Sequence, residues 1–221
     1  MIFKRWTLAA GLLGGALLVS PPALAESHVG APSPDQLKAA LLVPEDLGTD
    51  FVLNKIRNRD PLDPHATHTK ACAKAIKGLV PLYRSKTATW LMRDGVTEGV
   101  SQFVVSGSAA RVSGLERAAK VMVRDCGHVK ARSKGVTDTI GKLSVGKLGS
   151  GTYGIKFRSM NPSASVGPTM AVDIVIIRDE NTMVLLEHSG FYGRFESGLT
   201  RTAAAKAAAK LQEALNGSAD S

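Results

Sequence analysis

The chain has 221 residues, 28 basic against 19 acidic side chains, and a formal charge of +9, with 44% hydrophobic and 5% aromatic residues. That balance excludes a disordered acidic tail and is enough apolar material for one domain with a real core. The basic residues are scattered, with no dense run and no interleaved aromatics, which argues against nucleic acid as partner and for solubility with weak attraction to anionic surfaces.

Residues 1–25 read as an export signal. Lys4 and Arg5 form a short positive start, and Trp6 to Val19 is uncharged and apolar. That run is too short to span a bilayer, which takes ~20 residues. Pro21 and Pro22 end any helix, and Ala23-Leu24-Ala25 supplies the small residues that signal peptidase needs, so the expected cut follows Ala25. No cysteine lies near the cut to be lipidated. The expected location is therefore secreted or extracellular. Nothing after Ala25 is apolar enough to cross a membrane. Residues 26–32 read as a linker, 33–216 as one domain, and 217–221 as a frayed tail.

In the mature chain, Ser33-Pro34-Asp35-Gln36 has the form of a helix start: a serine cap, proline in the first turn, and glutamine at the capping-box position. Pro44-Glu45-Asp46-Leu47 restarts a short turn that Gly48 closes. Phe51 to Arg57 alternates as a strand does. Asn58 to Thr67 is a proline-bearing loop. A helix is expected over Thr69 to Val80, with Cys72, Ile76 and Leu79 on one face. Thr87–Arg93 and Glu98–Ser106 are strands joined through Asp94-Gly95, a hairpin signal. Ala109 to Cys126 is the clearest amphipathic helix, with Val112, Leu115, Ala119 and Met122 at helical spacing and Gly127 at its stop. Four strands follow, over Thr139–Leu148, Gly154–Met160, Thr169–Arg178 and Thr182–His188, the last two as a hairpin about Asp179-Glu180-Asn181. Leu199 to Leu215 is an alanine-rich surface helix. Runs of strands joined by short turns imply an α+β fold: a twisted antiparallel sheet with helices packed on it.

Two cysteines in an exported chain read as one disulfide, Cys72–Cys126, joining the second helix to the end of the third on one sheet face. Closing that loop restricts the unfolded chain by about 4 kcal/mol.

No constellation in the sequence compels a chemistry. Gly149-Ser150-Gly151-Thr152-Tyr153-Gly154 spells GxGxxG, but it leads into a strand rather than a helix and reads as a glycine-rich turn. His65 and His68, with Asp60 and Asp63 before them, are the nearest approach to a metal site; a solvated loop is the simpler reading, and neither a metal nor a cofactor is expected. If Asp179 to Thr182 form the hairpin loop, Asp173 faces His188. That pair is the weak candidate for acid–base catalysis; a cross-strand ion pair on a solvated sheet face is the favoured reading. Most aromatics belong to the core. Tyr192 and Phe195, beside Gly190 and Gly193, are candidates for a ligand-pocket rim, and Trp90 is a third.

The segment Leu41-Leu42-Val43-Pro44-Glu45-Asp46-Leu47-Gly48, followed by Phe51, is similar to the opening of the PknH-type extracellular sensor domains of actinobacteria. A helical cysteine, Cys72, and a second closing an amphipathic helix, Cys126, continue the likeness, which ends with sheet hairpins and an Ala/Lys/Leu-rich helix. The resemblance implies a twisted antiparallel sheet with helices around it, a cleft for a small ligand, and no catalytic residues. Relatives of this kind often carry two disulfides, whereas this chain has cysteines for one. The expected function is a secreted, non-catalytic, sensor-like module that binds a small molecule or envelope component. The alternatives are an envelope hydrolase using Asp173 and His188, and an adaptor or protease inhibitor that binds protein through Asn58–Thr67 or Asn161–Gly167.

Overall fold

The computed structural model describes residues 31–55, 70–133, 135–161 and 168–217. The export signal, most of the linker and tail, the His65/His68 cluster and most of the Asn161–Gly167 loop lie outside the described residues.

Eight strands form one sheet: β1 (Phe51–Leu53), β2 (Thr87–Arg93), β3 (Glu98–Ser106), β4 (His128–Ser133), β5 (Val136–Lys142), β6 (Gly151–Met160), β7 (Met170–Asp179) and β8 (Thr182–Phe191). Their order is β1-β2-β3-β8-β7-β6-β5-β4, and every neighbouring pair is antiparallel. The helices are α1 (Pro34–Ala39), α2 (Pro44–Leu47), α3 (Lys70–Lys77), α4 (Val80–Tyr83), α5 (Ala109–Cys126) and α6 (Ser197–Asn216). The α+β class is the one that the strand runs imply.

Helices cover both faces of the sheet. Apolar side chains of α3, α4 and α5 share one core with Phe103, Leu185, Ile174, Ile176 and Phe157. Those of α1 and α6 share a second core with Val100, Val104, Leu186, Val175 and Ile177. The central strands β7 and β8 are therefore buried along nearly their whole length, which explains their unbroken apolar runs Ile174–Ile177 and Met183–Leu186. The side of α6 that meets the sheet is built from Ala203, Ala204, Ala207 and Ala208, all buried, so the helix lies close on the strands.

Polar contacts place the N-terminal elements. Ser33 caps α1 as the sequence implies: its Oγ accepts from Gln36 N at 3.2 Å, and Gln36 Oε1 accepts from Ser33 N at 2.7 Å. Gln36 Nε2 also donates to Ala214 O near the end of α6. The fully buried Gln102 on β3 accepts from Leu42 N at 2.6 Å and donates to Ala40 O at 3.0 Å, fixing the Leu41–Gly48 segment against the sheet. Asp46 closes α2 through Val43 N and reaches Lys210 of α6.

The disulfide Cys72–Cys126 is formed, with 54 residues of separation, and ties α3 to the end of α5 on one face. Glu116 of α5 binds the other side of that face. It accepts from Tyr153 on β6, pairs with Arg178 on β7, and meets Lys120 at 2.9 Å.

Several elements differ from the sequence reading. The helix expected over Thr69–Val80 ends at Lys77 and resumes as α4, because α5 passes so close at Gly78 that a Cβ there would lie 3.0 Å from Ala118 Cβ. The strand expected to Leu148 stops at Lys142, and Leu143, Val145 and Leu148 turn into the α6-side core. β4 was not anticipated; it is an edge strand of largely polar residues, without the apolar alternation that marks a half-buried strand. Gly127 stops α5 with φ −65°, so its role is close approach: a Cβ there would sit 2.4 Å from Val123 O.

Two outcomes follow. Replacing both Cys72 and Cys126 with alanine is expected to lower the unfolding free energy by about 3–4 kcal/mol in urea titrations. The Glu116 carboxyl is held at about 2, against an ordinary 4.5, first by the Tyr153 hydroxyl, then by Lys120 and Arg178, with burial opposing them. A depressed carboxyl stabilises the fold above its unfolded value and loses that contribution as pH falls. The melting temperature is expected to fall between about pH 4.5 and 2, and Glu116→Gln to flatten that dependence.

Candidate functional site

The register places Asp173 opposite His188, as the hairpin reading requires, with Arg178 opposite Met183. The turn is narrower than expected, because Asp179 pairs with Thr182 and only Glu180 and Asn181 connect the strands. The surroundings differ from the favoured reading. Asp173 and His188 do not lie on a solvated face; each is 1% exposed beneath the start of α6.

A row of charges crosses five strands here. Arg93 of β2 pairs with Glu98 of β3, and Glu98 Oε1 lies 3.1 Å from His188 Nε2 on β8. His188 Nδ1 lies 2.8 Å from Thr200 Oγ1 of α6, and that hydroxyl donates to Asp173 Oδ2 of β7 at 2.7 Å. Arg158 of β6 donates to Asp173 Oδ1 at 2.8 Å. The threonine hydroxyl has one proton, which goes to Asp173, so His188 Nδ1 is the donor to Thr200. The row therefore sets two carboxylates between two guanidinium groups, with the His188 ring and the Thr200 hydroxyl joining them.

Glu98 stays ionised despite its burial. Burial pushes its carboxyl up, but the hydrogen bonds from His188 and the Glu196 N–H, with the charges of His188 and Arg93, bring it below the ordinary value. The Glu196 N–H donates to Glu98 Oε1 at 2.5 Å. Arg93 also reaches Glu196 at 3.0 Å and Asp50 at 2.9 Å.

The row positions the segment that leaves β8. Tyr192 (φ 54°) and Gly193 (φ 77°) occupy the centre of a tight reverse turn, closed by Arg194 N donating to Phe191 O at 3.0 Å. The chain then folds back on its own strand. A Cβ on Gly190 would lie 2.0 Å from Arg194 O, so only glycine allows that return. Phe195 stacks on the His188 ring at 4.3 Å and receives the Arg158 guanidinium at 4.4 Å.

The three aromatic candidates therefore separate. Phe195 is a lid over the ion row. Trp90 pairs with Ser101, on the opposite sheet face from His188. Tyr192 is at the surface and 69% exposed. Two residues on, Arg194 lines a cleft of about 450 Å³ together with Gly95, Val96 and Thr97 of the β2–β3 turn. Thr97 Oγ1 donates to Phe191 O and links the two turns. Arg194 is exposed and outside every described ion pair. Sequence reasoning missed Arg194, Arg158 and Thr200; the fold-back after β8 brings Arg194 and Thr200 to this end of the sheet, and the β6–β7 pairing brings Arg158. The glycine-rich stretch 149–154 is a turn into β6, where a Cβ on Gly149 would meet Arg178 O at 2.4 Å. Among the described residues, no three His, Cys, Asp or Glu side chains converge as metal ligands.

The fold is similar to that of the PknH extracellular domain. The match to that domain, from Mycobacterium tuberculosis, has a TM-score of 0.54 and 15% identity and covers 85% of this chain and 98% of that one. An uncharacterized protein from Mycobacterium smegmatis matches with a TM-score of 0.48 and 12% identity, over 80% of this chain and 97% of that one. No family model and no curated protein matches in sequence. The PknH-like fold bears out the resemblance seen in the Leu41–Gly48 opening. Among the described residues, no helix is long and apolar enough to cross a membrane.

Thr200 is the link between His188 and Asp173 in the row. Thr200→Val keeps the shape but strands both the His188 Nδ1–H and one Asp173 oxygen. It is expected to destabilise the fold by roughly 2–4 kcal/mol in chemical denaturation, whereas Thr200→Ser is expected to stay near wild type.

Proposed function

We propose that this chain is a secreted, non-catalytic, sensor-like module that binds a small anionic ligand at the Arg194–Tyr192 end of the sheet. The observation that carries the reading is the exposed tip itself. Tyr192 is a large aromatic held at positive φ in open solvent, a backbone state that costs an L-residue roughly 1 kcal/mol. Two residues on, Arg194 lines the cleft and has no ion pair among the described residues. An aromatic face next to an arginine suits a ring or sugar bearing a carboxylate or phosphate. The PknH-like fold supports a sensor role, and the disulfide fits an oxidising compartment outside the cytoplasm.

The hydrolase reading has less support. Asp173 and His188 are closed over by Thr200 and Phe195, so a substrate has no path to either group without removing the start of α6.

Native mass spectrometry of the exported protein from its host tests the reading. The expected result is a retained small mass that is lost in the Tyr192→Ala, Arg194→Ala double variant, with the melting temperature of ligand-free protein unchanged. Retention of the same mass by the double variant overturns the site. A bare protein that shows no thermal shift with fragments of its own cell envelope overturns ligand binding.

A further inference from the structure

α3 and α5 run antiparallel. Cys72 near the start of α3 is joined to Cys126 at the end of α5, and Gly78 past the end of α3 meets Ala118 in the middle of α5. Between their outer surfaces lies a groove of about 420 Å³. Its floor is Ala71, Ala75 and Gly78 from one side and Gly114, Ala118 and Val121 from the other. Both sets repeat at i, i+4 and i+7, the spacing of one stripe along a helix. Lys74 and Arg117, both exposed, stand on the rims, and the Arg124–Asp125 ion pair also lines the groove.

The charge is concentrated on this layer. α3 and α5 carry seven basic side chains against two acidic ones. Both acids are already engaged, Glu116 with Lys120 and Arg178, and Asp125 with Arg124. Lys74 and Arg117 have no ion pair among the described residues. On the other side of the sheet, α1, α2 and α6 together carry four basic and four acidic side chains.

Gly114 adds an independent argument. It sits inside an 18-residue helix, at a negative φ, with nothing within 4 Å of where its Cβ would be. A glycine there weakens the helix, and no neighbour among the described residues requires it. Its effect is to keep one end of the groove open.

We propose that the α3–α5 groove docks an amphipathic helix of another protein, with small residues along its contact stripe and acidic residues on both flanks. Small residues on both sides let helix backbones approach closely, and acidic flanks meet Lys74 and Arg117 across the rims. A second copy of this chain is a poor occupant, because it would bring seven cations against seven. A bilayer is also a poor fit, because none of the exposed large apolar side chains belongs to α3 or α5. The proposal does not depend on the Arg194–Tyr192 site, which lies at the end of the β2–β3 turn.

The test uses the full exported chain and a synthetic helical peptide with an alanine stripe and glutamates on both flanks. Binding is followed by fluorescence anisotropy and by backbone amide shifts. The expected result is saturable binding with shifts confined to α3 and α5, weakened roughly tenfold or more in Lys74→Glu, Arg117→Glu. Gly114→Leu keeps every charge and improves helix propensity, so it folds at least as well; it is expected to weaken binding by a similar factor. Equal binding by wild type and Gly114→Leu overturns groove docking and leaves only charge attraction. Equal binding of a lysine-flanked peptide overturns the acidic partner. Binding to anionic phospholipid vesicles with none to the peptide overturns the helix in favour of a membrane.

Discussion

Glu98 and Asp173 are carboxylates set into the floor beneath an alanine-rich helix, and each must be answered by donors that come from other elements. An unpaired buried charge would cost several kcal/mol, more than most single contacts in the fold return. The donors come from β2, β6, β8, the β8–α6 connection and α6 itself. A slip of one residue in the β3–β8 or β7–β8 register would turn Glu98 or Asp173 toward the opposite core. The helix cannot slide along the sheet either, because Thr200 must stay between His188 and Asp173. Apolar packing alone would tolerate small shifts of a smooth alanine surface. The ion row selects one of them.

That selection reaches the surface. The fold-back after Gly190 is held by Phe195 on His188, by the Glu196 N–H on Glu98, and by the Tyr192–Gly193 turn. Three separate interactions thus aim a short connection, and what they leave outside is Tyr192 and Arg194. A rigid platform with a few exposed groups on a loop is the usual way for a scaffold to present a binding surface. The opposite layer is organised differently, by a covalent tie between two helices and a basic exterior.

The elements with strong local signals were legible in the sequence. Ser33 with Gln36 marked the start of α1, Asp94-Gly95 marked the β2–β3 hairpin, and the spacing of Val112, Leu115, Ala119 and Met122 marked α5 to the residue. The pairing of Asp173 with His188 followed from turn length. What stayed hidden depended on neighbours far along the chain. β4 has an edge strand's polar composition, and Gly78 divides a helix only because α5 lies against it. The burial of the Asp173–His188 pair depends on α6, whose alanines carry too little apolar weight to announce a buried face. Thr200 and Arg194 belong to the site through the fold-back, and Arg158 through the β6–β7 pairing, neither of which a local pattern encodes.

The strand order has a consequence for how the molecule is made. β1 to β3 form a three-stranded meander, and β4 to β8 a five-stranded one that begins at the far edge and works back toward the centre. The sheet closes only when the last strand, β8, reaches β3, joining residues such as Val100 and His188. A chain appearing N-terminus first can pair β1 to β3 and β4 to β7 and oxidise Cys72 with Cys126 before that final strand arrives. Sheet closure is the strand pairing of greatest sequence separation, and such events are slow because the chain must first surrender the entropy of a long loop. Both cores stay open along the β3–β8 seam until then, so the half-made protein exposes its stickiest surface at the middle of the sheet, not at the rims. Glu98 and His188 lie on the two sides of that seam, and their polar groups oppose docking of any wrong apolar strand there.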